Sequence, residues 1–177
     1  MKRLKRPFTL VELLCVIIVI ALLAALSIKV TQIAYRRADD TKTKTIIEII
    51  RAANEQYKAK HGYYFQNGAS PYSEGGYTFY SIDLKPDDKT DPAIELLGDS
   101  YETVIKMTTE TGKDVNKIRD AWGEAIRYRS PGAFNTGSYD LYSIGRDKKV
   151  GDAEGSSSQQ KPGFGDDITN FKNPDVK

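Results

Sequence analysis

Few residues in this 177-residue chain are equipped for covalent chemistry, and they stand apart in the sequence. His61 is the only histidine and Cys15 the only cysteine. Any Ser-His-Asp or Cys-His mechanism would have to use His61, while Cys15 lies far away inside a long apolar run. A single cysteine allows no intramolecular disulfide and no cysteine-based zinc site. There is no phosphate loop and no histidine cluster, so the chain does not read as an enzyme. Two other groupings remain. One carboxylate, Glu12, sits near the start of the apolar run, and the C-terminal stretch "GRDKKVGDAEGSSSQQKPGFGDDITNF" gathers carboxylates among Gly, Ser and Gln. The plain reading of that stretch is a solvated loop. Its oxygen-rich side chains also suit calcium, which takes about 6–8 oxygen ligands, although no EF-hand pattern is present.

The elements that must carry these groups begin with "KRLKRPFTLVELLCVIIVIALLAALSIKV". Residues 13–26 are uninterruptedly apolar, and a helix needs about 20 such residues to cross a bilayer. Lys2, Arg3, Lys5 and Arg6 precede the run, and Arg36 and Arg37 follow it. A cleaved secretory signal with "ALS" at Ala25–Ser27 is one reading. A plain anchor with its basic end inside is a second. Neither accounts for Glu12, because a charge in such a segment demands a partner or a function. Elsewhere the charge is balanced, 26 basic against 24 acidic residues, which speaks against a nucleic-acid partner.

"FTLVELL", behind a short basic leader and ahead of an apolar helix, resembles the N-terminus of type IV pilins and type II secretion pseudopilins. The resemblance implies cleavage by a prepilin peptidase between Pro7 and Phe8, with N-methylation of Phe8. Pro7 stands where that family usually has Gly. Glu12 would then be the fifth mature residue, meeting the N-terminal amine of a neighbouring subunit during fibre assembly. Two charges in an apolar bundle are tolerable as a pair.

Past the apolar run, no Gly or Pro interrupts residues 39–60, and Ile46, Ile50, Ala53 and Tyr57 recur at helical spacing. Lys58, Lys60 and His61 suit the negative end of a helix, and Gly62 is its stop. One helix over residues 8–61 would be ~80 Å long. "YKAKHGYYF" is similar to the helix-to-loop junction of major pseudopilins, which makes His61 a helix-end residue. Residues 62–120 read as Tyr-, Gly- and Pro-rich loops, with a strand over 77–84 and a short helix in "DPAIELLGDSY". "VIKMTTETGKDVNKIRD" suits either a strand or a helix around a turn at Gly112.

The pattern sharpens at Asp120. "DAWGEAIRYRSPG" reads as a turn and a strand, with Ile126 and Tyr128 on one face and Arg127 and Arg129 on the other. "SYDLYSIGRD" reads as its antiparallel partner. Together these segments resemble the C-terminal sheet of major pseudopilins, and that likeness makes Trp122, followed by Gly123, a core anchor. It also implies a calcium site in the closing loop, formed by Asp147, Asp166 and Asp167 with Asp152 as a further ligand. Lys148 and Lys149 follow Asp147 where the family usually has Gly.

The expected fold is α+β and type IV pilin-like: a long N-terminal helix, transmembrane in its first half, packed on a small C-terminal antiparallel sheet. The expected organisation is a leader over 1–7, an assembly helix over 8–30, an amphipathic continuation over 31–62 and a periplasmic domain over 63–177. The resemblance implies a structural subunit of a short periplasmic pseudopilus for type II secretion. Its partners would be further copies of itself, minor pseudopilins, the inner-membrane assembly platform and prepilin peptidase. A surface fibre for adhesion or DNA uptake is an alternative, as is a signal-anchored binding domain that never polymerises.

Overall fold

Thr9 and Glu12 start the first helix. The computed structural model describes residues 9–66, 71–74, 76–85, 87–88, 90–109, 116–151, 161–163 and 165–172, without the side chains of 26–30 and 32. Helix α1 runs Leu10–His61, 52 residues, and ends where Gly62 takes φ +84° and donates its N–H to Lys58 O at 2.7 Å. That is the backbone geometry glycine enters most easily. The chain divides into two compact units, Met1–Ala38 and Asp39–Lys177.

In the first unit the described side chains are exposed on every face of the helix, from Leu10 at 82% through Leu23 at 59%. Among the described residues no helix is long and apolar enough to cross a membrane.

In the second unit the expected stripe faces inward. Ile46 and Ile50 are fully buried, Ala53 nearly so, and Tyr57 packs against the same core. Each such isoleucine contributes about 1.5–3 kcal/mol by leaving water. The stripe meets Ile82, Leu84, Ile118, Ile126, Tyr128, Tyr139 and Leu141. Helix α2 (Pro92–Leu97), a single 3-10 turn (Gly98–Ser100) and helix α3 (Tyr101–Thr109) supply Leu96, Leu97 and Val104 to it. The ambiguous "VIKMTT" is therefore helical, while Gly112 lies outside the described residues.

The sheet is an antiparallel meander of strands β1 (Pro71–Glu74), β2 (Tyr77–Ser81), β3 (Arg127–Arg129), β4 (Asp140–Ser143) and β5 (Ile168–Thr169), in that order. Tyr128 and Leu141 pair on the helix-facing side. Arg127 points to the opposite face, as the alternation predicts, but that face is covered too. Phe79, Tyr142, Ile144 and Phe171 form a second core there. Arg127, only 5% exposed, donates from Nε and Nη2 to Glu74 Oε1 at 3.0 Å each, and stacks on Tyr72 at 3.9 Å. Tyr142 donates its hydroxyl to Glu74 Oε2.

One buried amide joins helix, loop and sheet. Asn54 Nδ2 donates to Tyr128 Oη at 3.0 Å and its Oδ1 accepts from Phe65 N at 3.1 Å, while Tyr128 donates to Phe65 O at 2.5 Å. Replacing Asn54 with Leu keeps the volume but strands the buried Phe65 N–H. An unsatisfied buried donor costs about 1–3 kcal/mol. Urea unfolding of the full chain should show a loss of that size for Asn54→Leu, with the m-value unchanged.

Candidate functional site

Glu12 closes a reciprocal cap at the helix start. Its Oε2 accepts from Thr9 N at 3.0 Å and from Thr9 Oγ1 at 3.0 Å, and Thr9 Oγ1 accepts from Glu12 N at 3.3 Å. Thr at the N-cap and Glu at the third helical position form a capping box, satisfying amides the helix itself leaves open. The expected partner of Glu12 was another subunit; within one chain its partner is Thr9. The signal was present as "TLVE" in the sequence. Pro7 and Phe8 lie outside the described residues. Cys15 is free and exposed on the same helix.

At the other end of the chain, the loop between β4 and β5 is drawn together by two neighbouring aspartates. Asp166 Oδ2 accepts from Arg146 N at 2.8 Å and Asp147 N at 3.2 Å. Asp167 Oδ2 accepts from Gly151 N at 3.0 Å and Gly163 N at 2.9 Å. The second oxygen of each, Asp166 Oδ1 and Asp167 Oδ1, is buried without a hydrogen-bond partner. Burial, with Asp166 and Asp147 nearby, pushes the Asp167 carboxyl up to about 7 against the pull of its two N–H donors. Of the expected ligands, then, Asp166 and Asp167 stand side by side with spare oxygens. Asp147 turns Oδ1 onto Lys149 N at 2.8 Å, and Asp152 lies outside the described residues. No group of three His, Cys, Asp or Glu residues able to hold a metal is gathered among the described residues.

Lys148 takes φ +60°, a left-handed conformation unusual for a residue with a side chain. The chain keeps the backbone shape that glycine would give, although the sequence has lysine. The ammonium is turned away from the aspartates, with Nζ 3.3 Å from Glu124 Oε1. Next to it Gly145 sits so close to Asp166 that a Cβ would lie 2.5 Å from Asp166 O.

The "DAWG" turn is organised by its aspartate. Asp120 is fully buried; Oδ1 accepts from Trp122 N at 3.0 Å and Glu124 N at 2.8 Å, and Oδ2 accepts from Ser143 Oγ at 2.6 Å. Burial raises the pKa of this carboxyl against those three donors. Gly123 closes the turn at φ +81°. Trp122 does not anchor the core as expected: it is half-buried and belongs to neither core cluster. The turn needs its backbone N–H more than its ring. His61 stacks on Tyr57, centroids 4.2 Å apart, and places Nε2 3.1 Å from Glu95 Oε1, an arrangement that ends a helix and activates no nucleophile.

Two substitutions check this reading of the loops. Lys148→Gly should leave thermal stability unchanged or raise it by up to about 1 kcal/mol, whereas the β-branched Lys148→Val should lower it. Asp120→Ala removes three acceptor contacts and should cost at least about 2 kcal/mol. Asp120→Asn, which keeps an acceptor and does not bury an ionised group, should cost less. Because the native carboxyl holds its proton to higher pH than the unfolded one, the penalty for ionising Asp120 grows as pH rises from its ordinary value through its raised one. The Asn variant should therefore close its gap to wild type towards neutral pH in melting experiments.

Comparison with known proteins identifies relatives of the chain. The family model described as "Type II secretion system (T2SS), protein G" matches residues 32–160. "Type II secretion system core protein G" of Pseudomonas aeruginosa (strain PAO1) is 28% identical over 153 residues, which is 86% of this chain and 92% of the relative. No solved structure matches the chain. Glu12 at one end, and Asp166 and Asp167 at the other, fall outside the stretch the family model matches. The helix stripe, the "DAWG" turn and the β3–β4 hairpin fall inside it, and the chain belongs to the type II secretion system protein G family.

Proposed function

We propose that the chain is the major pseudopilin of a type II secretion system, a structural subunit that polymerises through helix α1 into a short periplasmic fibre. The observation that carries this reading is the apolar surface of residues 10–25, exposed on every face of the helix. A helix apolar all round needs lipid or other helices around it. The sequence continues the apolar run through Leu26, Ile28 and Val30, so the same segment suits a bilayer before assembly and a bundle of its own copies afterwards. The basic leader places the N-terminus in the cytoplasm and the domain from Asp39 onward in the periplasm. Family membership makes it a structural component and not an enzyme.

In this reading prepilin peptidase removes residues 1–7 and methylates Phe8, with Pro7 tolerated before the cut. The assembly platform and minor pseudopilins are its partners. Glu12 has two tasks, capping its own helix through Thr9 and meeting a neighbour's N-terminal amine. Glutamine serves in a capping box as well as glutamate but carries no charge. Glu12→Gln should therefore keep the helix start and lose fibres, whereas Glu12→Ala should lose both. Fibres from the Gln variant, seen by shearing or electron microscopy, would confine Glu12 to the cap. The mature chain should begin at N-methylated Phe8 by intact mass. A start near Ile28 would mean a discarded signal and would end the fibre reading.

Calcium is the proposed ion of the β4–β5 loop. Asp166 and Asp167 would hold it through their spare oxygens, with Asp147 and Asp152 completing the set. The support is chemical: two adjacent buried carboxylates, each with an oxygen lacking a partner, suit a hard cation. Bound, it supplies positive charge that lets both carboxylates ionise. Calcium should then raise the melting temperature of the full chain, the shift growing with the logarithm of its excess over Kd. Magnesium should do so less, and Asp167→Asn should abolish the shift.

A further inference from the structure

The β4–β5 loop is fastened to the "DAWG" turn at two points. At its root, Ser143 Oγ donates to Asp120 Oδ2 at 2.6 Å and accepts from Gly145 N at 3.1 Å. Further along, Lys148 Nζ donates to Glu124 Oε1 at 3.3 Å, and Glu124 N returns to Asp120 Oδ1 at 2.8 Å. Loop and turn thus close a ring of contacts. The two amides that Asp166 gathers, Arg146 N and Asp147 N, lie between the fastenings in sequence.

The fastenings differ in strength. Asp120 and Ser143 are both fully buried, so water does not compete for their bond. The Lys148 and Glu124 side chains are 48% and 27% exposed, and a pair of that kind is worth only a few-fold. Lys148 meanwhile holds φ +60°, which costs a residue with a side chain roughly ten-fold. The ion pair is therefore too weak to create the bend. The backbone contacts of Asp166 and Asp147 make it, and the pair sets how often it opens.

We propose that Lys148 and Glu124 form a latch between the β4–β5 loop and the "DAWG" turn. Lys148 is thereby a positioning residue for Asp166, keeping the N–H groups that orient its carboxylate in place before a cation arrives. The latch stands on the contacts themselves; its effect on a cation rests on the calcium reading. Lys148→Gly does not isolate it, because that change relieves the bend and removes the ion pair together. Lys148→Met keeps a side chain at the bend and removes only the charge.

The test follows amide hydrogen exchange in the full chain in detergent with EGTA, for Lys148→Met and Glu124→Gln, singly and together. Each single variant should exchange Arg146 and Asp147 N–H ~3-fold faster than wild type, and the double variant no faster than either. Lys148→Arg should exchange as wild type does, and high salt should bring wild type towards the variants. Ile50 N–H, in the core stripe of α1, should keep its rate throughout, which separates opening of the loop from loss of the fold. Unchanged loop exchange, or effects that multiply in the double variant, would overturn the latch. Calcium titration supplies the second arm. The double variant has the net charge of wild type, so its affinity reports the lost latch and not a lost charge. It should bind calcium ~3-fold more weakly, because the loop must then be ordered on binding. Equal affinity would overturn the positioning role. Latch behaviour in EGTA with no calcium binding by any variant would uphold the latch and sink the calcium reading.

Discussion

Aspartate side chains accepting backbone N–H groups hold the irregular half of this molecule together. Asp91 accepts from Lys85 N and Ala93 N, tying a loop to the start of α2. Asp120 shapes the "DAWG" turn, and Asp140 gathers Ala133, Phe134 and Asn135 N–H between β3 and β4. Asp166 and Asp167 do the same between β4 and β5. A carboxylate is acceptor-only when ionised and can serve several amides at once, so each residue replaces the water that loop backbone would otherwise need. In a chain with one cysteine, these contacts do the cross-linking that disulfides do in many small domains.

The long helix was legible because its two halves carry unambiguous signals: an unbroken apolar run and then a 3.6-residue stripe free of Gly and Pro. The β3–β4 hairpin was legible for the same kind of reason, alternation bounded by turn residues. Less of the rest could be read. Strand β1 went unseen because "PYSE" has no apolar alternation; it is recruited as an edge by pairing with β2 and by the Glu74–Arg127 contact. The Gly-Gly after it was the available clue to a tight hairpin. The alternation placed Arg127 on the face opposite Tyr128, but alternation gives the face of a strand and not what covers that face.

The candidate sites divide in the same way. Local patterns transfer well from sequence: the glycine stop at Gly62 and, had it been sought, the capping box at Thr9. The core position that the family resemblance implied for Trp122 is not the one it takes, since it is half-buried and the turn is built from the hydrogen bonds of Asp120.

Asp167 has one more consequence. Its single oxygen ties Gly151 to Gly163, joining the two sides of the β4–β5 excursion at their base. Whatever lies between those glycines is fastened at both ends to the same carboxylate, so changes of length there need not reach the sheet. The separation of Gly151 and Gly163 is thus set by one side chain of the strand-entry segment and not by the path between them.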